Sequence, residues 1–233
     1  MVAGTNYNTF VGRKAGFFGA TTTTAAIHNT GVGVNVLLAN TTGDRNTVLG
    51  SGALVANTTG LRNQAFGAFS MQANTTGSEN TAFGLGSLFA NLTGNQNCAI
   101  GVQALIYALA SENTALGYRA GAYRGVGTDY NTTGSKGVFL GYKSRAKLDG
   151  GVNEIVVGHE TLGNGSNTVT IGNDDITDTY LKGAVHVAGT IQPTGYKSSD
   201  GSVGVTSDVT YLKANGVDTG VLTIKNGLIT NVT

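Results

Sequence analysis

Asn46-Thr-Val-Leu-Gly50, Asn63-Gln-Ala-Phe-Gly67, Asn80-Thr-Ala-Phe-Gly84 and Asn97-Cys-Ala-Ile-Gly101 are copies of one pentapeptide, each 17 residues after the last. A second block, Ala56-Asn-Thr-Thr-Gly60, Ala73-Asn-Thr-Thr-Gly77 and Ala90-Asn-Leu-Thr-Gly94, recurs between them at the same period. A short fixed period is the mark of a solenoid, in which each coil contacts only its neighbours. Before this stretch the motif occurs as Asn8-Thr-Phe-Val-Gly12 and Asn29-Thr-Gly-Val-Gly33. After it come Asn113-Thr-Ala-Leu-Gly117, Gly137-Val-Phe-Leu-Gly141, Ile155-Val-Val-Gly158 and Asn167-Thr-Val-Thr-Ile-Gly172. The step is 21 residues into Gly33 and 16 into Gly117, then 24, 17 and 14, so the period loosens towards the C-terminal end.

Seventeen residues at about 3.3 Å each form a coil of only ~56 Å contour. That predicts two short strands and two turns around a thin core. The first strand carries a small apolar residue (Val48, Ala65, Ala82, Ala99, Ala115) followed by a larger one (Leu49, Phe66, Phe83, Ile100, Leu116). Neighbours on a strand point to opposite faces, so one row faces the core and the other faces outwards and also requires burial. The pairs Ala53/Leu54, Ser70/Met71, Ser87/Leu88 and Ala104/Leu105 repeat the same demand on the expected second strand. A thin roll cannot bury both faces alone, and a symmetric oligomer whose outward rows meet is the simplest remedy. The repeat positions Gly50, Gly67, Gly84 and Gly101 suit turns with positive φ. The repeat asparagines Asn46, Asn63, Asn80 and Asn97 suit hydrogen-bonded ladders from coil to coil.

Composition narrows the class. The 233 residues include 37 Gly, one Pro and no Trp, with only 12% charged residues, a profile of short strands and turns. A net charge of +1 gives no reason to expect a nucleic-acid partner. Cys98 stands in a slot filled elsewhere by Thr or Gln, so it reads as a tolerated substitution, and no disulfide within the chain and no cofactor is expected. No stretch of 18 apolar residues exists, so no membrane insertion is expected. Met1-Val-Ala-Gly-Thr-Asn6 does not read as a signal peptide. Export by another route, or release within an assembled particle, is the expectation.

Three divisions follow: a β-roll over 1–178, a neck over 179–195 and a small C-terminal β tip over 196–233. Residues 113–150 hold Tyr118, Tyr123, Tyr130 and Tyr142 together with Arg119, Arg124, Lys136, Lys143, Arg145 and Lys147, and Gly125–Lys136 is expected to stand off the roll as a loop. Tyr180–Ile191 reads as a strand entering the neck. Asn215-Gly216 and Asn226-Gly227 are type I′ hairpin candidates joining a three-stranded meander marked by Val209/Tyr211, Val221/Thr223 and Leu228/Thr230.

The Asn-x-Val/Ala-x-Ile-Gly turns resemble the left-handed parallel β-roll head of trimeric autotransporter adhesins. Gly137–Gly183, with Val138-Phe-Leu-Gly-Tyr-Lys143, Asn153-Glu-Ile-Val-Val-Gly158 and Thr179-Tyr-Leu-Lys-Gly183, is similar to bacteriophage tail fibre proteins, as is, more weakly, Lys197-Ser-Ser-Asp-Gly201. The resemblance implies a homotrimeric, non-enzymatic phage tail fibre in the virion, held by other tail or baseplate proteins and adsorbing to a host cell-surface receptor, a glycan or a protein. The adhesins carry a signal peptide and a membrane-anchor barrel, and many such fibres a self-cleaving chaperone domain; on the motifs of this chain none of these is expected. A fragment of a bacterial surface adhesin is the first alternative and an ice-binding solenoid the second.

Tyrosine faces stack on sugars, which makes Tyr118, Tyr123, Arg124 and Tyr130 one candidate receptor site. Tyr196, Lys197 and Tyr211 of the tip form the other. A solvated loop explains the first set equally well. The Asn-x-Thr sequons at Asn40, Asn57, Asn74, Asn91 and Asn131 resemble glycosylation sites, but a shared repeat position makes turn chemistry the simpler reading for the first four. The rows Thr41/Thr42, Thr58/Thr59, Thr75/Thr76 and Thr93 suggest ice binding, yet they sit in turns. His28, His159 and His186 have no metal-ligand spacing, and only His186 could ring a trimer axis. Asp174, Asp175 and Asp178 could supply a hydrolytic carboxylate pair, with turn capping or a meeting with Lys182 as the ordinary explanation.

Overall fold

In each coil the pentapeptide forms one short strand, and successive strands stack in parallel. The computed structural model describes residues 7–16, 26–126, 129–182, 186, 207–212, 219–225 and 228–232. The chain divides into two compact units, Met1–Asp178 and Thr179–Thr233. Among the described residues the secondary structure is all-β. The strands of the first unit are β1 (Thr9–Val11), β2 (Thr30–Val32), β3 (Thr47–Leu49), β4 (Gln64–Phe66), β5 (Thr81–Phe83), β6 (Cys98–Ile100), β7 (Thr114–Leu116), β8 (Tyr123–Arg124), β9 (Asp129–Tyr130), β10 (Val138–Leu140), β11 (Glu154–Val157) and β12 (Thr168–Ile171). All but β8 and β9 build one ten-stranded sheet in chain order, a parallel β-solenoid of about nine turns. The register is one to one, as in Val48↔Ala65, Ala65↔Ala82 and Ala82↔Ala99, so each repeat position becomes a column.

The small apolar residue of each strand faces in. Val48, Ala65, Ala82, Ala99, Ala115, Phe139 and Val156 are buried in a single column. Its neighbour faces out: Leu49 is 49% and Phe83 55% exposed.

The second limb departs from the sequence expectation. It contains no strand, and both members of its apolar pairs are buried: Ala53 with Leu54, Ser70 with Met71, Ser87 with Leu88, Ala104 with Leu105. The cause is a left-handed backbone at the larger residue, with φ of +48° at Leu54, Met71 and Leu105 and +50° at Leu88. A residue in that conformation breaks strand alternation, so two successive side chains enter one core. Each such non-glycine residue costs roughly 1–2 kcal/mol. Burial of a leucine or methionine side chain offsets it by about 1.5–3 kcal/mol, and the bonds from Leu54 N–H to the Ser70 carbonyl (3.1 Å) and Met71 N–H to Ser87 (3.0 Å) add to this. The second limb therefore presents no outward partner row of its own, and the continuous exposed apolar column is the one on the outward face of the sheet.

Buried asparagines tie the coils together. Asn63 donates its amide to the Gly77 carbonyl (2.8 Å), and its side-chain oxygen accepts the backbone N–H of Asn80 (3.0 Å). Asn46, Asn80 and Asn97 repeat the arrangement. A second ladder links Asn40, Asn57, Asn74 and Asn91 at 2.9–3.1 Å. Each ladder satisfies backbone groups that the narrow core would otherwise bury unpaired.

Beyond Ile100 the columns persist while their occupants change. In the first asparagine column Asn113 is followed by Gly137, Glu154 and Thr168. Phe139 replaces the inward alanine, and Gly121, standing where Leu105 stands one coil earlier, leaves the room: a Cβ on Gly121 would lie 2.8 Å from the Phe139 ring and 2.7 Å from Leu105. Of the expected Gly125–Lys136 loop, Val126, Asp129 and Tyr130 are exposed, while the segment from Asn131 onwards is tied back to the coils. Tyr123-Arg124 and Asp129-Tyr130 pair antiparallel as β8 and β9, the Asn131 N–H bonds the Ala122 carbonyl, and Ser135 is bridged to Val152.

In the second unit β13 (Ser207–Leu212), β14 (Thr219–Lys225) and β15 (Leu228–Val232) form an antiparallel three-stranded sheet. Val209 lies opposite Leu222 and Thr223 opposite Asn231. The Asn215-Gly216 and Asn226-Gly227 turns lie outside the described residues. Tyr180, Leu181 and Lys182, at the start of the expected neck strand, belong to no strand and are exposed, and most of the rest of that stretch is likewise outside the described residues.

Candidate functional site

The loosened coils gather aromatic and cationic side chains on one flank of the roll. The residue after each motif glycine forms a column, and in three successive coils it is Tyr118, Tyr142 and His159. Coils repeat about 4.8 Å apart, the right spacing for ring stacking. Tyr118 stacks on Tyr142 with centroids 5.4 Å apart, and Tyr142 on His159 at 5.0 Å. The Arg119 guanidinium lies 5.0 Å from the Tyr118 ring and 5.7 Å from the Tyr123 ring, its Nε donating to Gln103 Oε1 at 2.6 Å. Tyr123 in turn lies 6.0 Å from Tyr130, and Tyr130 3.6 Å from Tyr107.

Seven side chains thus run in unbroken contact from Tyr107 to His159. Hydrogen bonding to Tyr130, and then burial, raise the Tyr107 phenol above its usual range. Lys143 lies 4.9 Å over the Tyr142 ring and 3.2 Å from Glu160; the interaction with Tyr142 first, then with Glu160, holds it charged to higher pH than a free lysine. Because Tyr118, Tyr142 and His159 stack on one another, their shared faces are spent, and their edges are what they offer to solvent.

Of the sequence candidates, Tyr118, Tyr123 and Tyr130 fall within this belt. Arg124 braces it, with Nε on the Tyr130 carbonyl (3.1 Å) and a 3.8 Å ion pair to Asp129. Tyr211 belongs to β13 of the second unit, opposite Gly220. Tyr196 and Lys197 lie outside the described residues. The sequence reading places Arg119 and Tyr142 in the 113–150 segment without singling them out as site residues, and it does not place Tyr107 and His159 with them, although an aromatic after the motif glycine in three successive coils was a readable signal. Tyr107 carried no such signal, since its contact depends on how the β8–β9 excursion folds back.

His28 stacks on Tyr7 at 5.1 Å, and His186 is exposed. Among the described residues no group of three His, Cys, Asp or Glu side chains is placed to hold a metal within the chain. Asp175 accepts from Asn173 (3.3 Å) and Asp178 from Thr177 (3.3 Å), turn contacts within the last coil. The Thr41, Thr58 and Thr75 hydroxyls donate to backbone carbonyls of the next coil at 2.9–3.0 Å, so this row is engaged along the roll.

A second feature adjoins the belt. A groove of about 360 Å³ opens over the last coils, lined among others by Arg145, Lys147, Glu160, Leu162, Asn173 and Asp174. Compared with family models, curated proteins and solved structures, the chain matches none.

Proposed function

We propose that the chain is the β-roll of a homotrimeric attachment fibre of the phage tail fibre kind, left-handed in coil, adsorbing a particle to a host cell surface. The observation that supports the oligomer is the outward column Val11, Val32, Leu49, Phe66, Phe83, Ile100, Leu116, Leu140, Val157 and Ile171, in register on all ten strands. Nine strand spacings of about 4.8 Å make it ~43 Å long. From β10 onwards the other outward position is apolar too, as Val138, Ile155 and Val169, and Val169 and Ile171 are 61% and 67% exposed. A contiguous apolar face of this extent is atypical of a soluble monomer, and three copies meeting on an axis would cover it. Fibre and attachment roles rest on the resemblance of the repeats, and the aromatic belt is the surface on which recognition is proposed.

Light scattering tests the assembly. A mass near three chains is expected for the native sequence, and Phe83→Asp with Ile100→Asp, both on the outward face, is expected to give single folded chains. A mass near one chain for the native protein would overturn the trimer. Loss of adsorption to host cells on Tyr118→Ala with Tyr142→Ala, in a protein that keeps its mass and melting temperature, tests the belt.

A further inference from the structure

Arg145 shares a register position with the left-handed core residues of earlier coils but lacks their positive φ, so it stands part-buried between the buried Ser144 and Ala146. One backbone bond defines that position in successive coils: Leu54 N–H to Ser70, Met71 to Ser87, Leu88 to Ala104, Leu105 to Ala120, Gly121 to Ser144 and Arg145 to Thr161. Leucine, methionine and glycine fill the earlier coils, and Leu162 pairs with Arg145 in the next. Without the left-handed turn, strand alternation sends Ser144 and Ala146 to the core and Arg145 to the groove side. Its Nη2 reaches the Glu160 carbonyl at 3.3 Å, while Nε is buried without a hydrogen-bond partner. Buried donors without partners are rare in native proteins, and a missing ligand is one explanation for them. This donor belongs to a residue that lines the groove.

We propose that the groove binds a carboxylate-bearing saccharide. This deepens the attachment reading by naming a receptor class and rests on that reading only for its biological setting. The lining carries Arg145 and Lys147 against Glu160 and Asp174; Glu160 is engaged with Lys143 at 3.2 Å, and the unpartnered Arg145 donor is what favours an anionic group. A guanidinium with a free donor beside an ammonium suits a carboxylate. Asn173 and Asp174 offer both donors and acceptors, as sugar hydroxyls require, and Leu162 and Val126 supply apolar surface for ring C–H groups. The volume is at the small end of ligand pockets and suits one or two sugar rings.

Saturation-transfer NMR and calorimetry on the full chain test the proposal, with digalacturonate, methyl glucuronide and methyl N-acetylneuraminide as probes. At least one acid is expected to bind, and its methyl ester at least about tenfold more weakly. Arg145→Gln and the exposed Lys147→Gln are each expected to weaken binding about tenfold, the scale of a charge-assisted hydrogen bond, with mass and melting temperature unchanged. Absence of binding by all three acids, equal binding of the ester, or unchanged affinity in both variants would overturn it. Displacement by acetate at equal affinity would reduce the site to an anion site and overturn the saccharide assignment. Binding that both variants weaken, in a protein that does not adsorb to cells, would keep the saccharide site and overturn the attachment reading.

Discussion

The coils between Asn46 and Gly101 and those between Asn113 and Asp178 share one backbone path but meet their hydrogen-bonding needs differently. In the first set each coil does for its neighbour what its neighbour does for the next, and identical asparagines satisfy identical groups. In the second set each need is met once, by a particular residue. The Glu154 carboxylate stands in the asparagine column and accepts the N–H groups of Gly165 (2.8 Å) and Lys147 (3.2 Å). Asp149 accepts the N–H groups of Thr132 (2.7 Å) and Thr133 (2.8 Å), where the regular coils use a backbone carbonyl, as Thr58 N–H does with Thr75. Among the described residues, three of the four buried side-chain polar atoms without hydrogen-bond partners, on Asn131, Arg145 and Thr161, fall in this second set. Regularity yields a self-satisfied shaft; departure from it yields unspent chemistry.

The sharpest way to break the comparison is to put one methyl group into each region. A Cβ on Gly67, at φ +134°, would lie 2.5 Å from the Gly84 carbonyl oxygen, and that contact recurs along the column. Gly67→Ala is expected to cost upwards of about 4 kcal/mol. Gly165, at φ +101°, has nothing within 4 Å of such a Cβ, so Gly165→Ala should cost only backbone strain of about 1–3 kcal/mol. Urea midpoints of the two variants compare them directly, and equal losses would contradict the contrast.

Asn80→Ala is expected to come next, at about 3 kcal/mol. It orphans the Asn97 N–H, removes one of the two amide donors to the Gly94 carbonyl (Asn91 keeps the other) and leaves a small cavity in the ladder. A loss under about 1 kcal/mol by the same measurement would mean that water replaces the ladder.

The smallest effect is one of pH. Burial opposes ionisation of Asp149, but N–H and hydroxyl donors from Thr133 and Thr132 outweigh it and hold the carboxyl down at about 2. A carboxyl depressed by folding stabilises fully above its unfolded value near 3.9, and that contribution fades as pH falls towards 2. The group is substantially exposed, which limits the contribution to no more than about 1 kcal/mol. Asp149→Asn should therefore lower the melting temperature slightly at pH 6 and converge with the native protein near pH 2. Parallel curves across that range would show that the carboxylate is not what holds the turn.

Much of the first unit was legible. The 17-residue period is a property of the chain, and Ala82-Phe83 could be read as one residue in and one out because strand alternation leaves no other arrangement. Leu54, Met71, Leu88 and Leu105 could not be read, because a leucine or methionine with positive φ runs against local preference and is held by the coils on either side. Tyr118 and Tyr130 were readable as candidates, whereas Tyr107 and Arg145 were not. Their roles follow from the fold-back of β8–β9 and from the position of Arg145 in a column defined by backbone bonds.

By itself the sequence determined the periodic part: a parallel β-solenoid, its inward and outward columns, the asparagines at fixed intervals and a separate antiparallel sheet of three strands. Those features follow from local geometry repeated at a constant interval. The tertiary structure alone decided the rest: that the second limb is a turn with both its residues buried, that Phe139 fills the space left at Gly121, and that Arg145 reaches a groove with an unspent donor. Each depends on which coil lies next, information the regular repeat carries implicitly and the irregular coils supply only once folded.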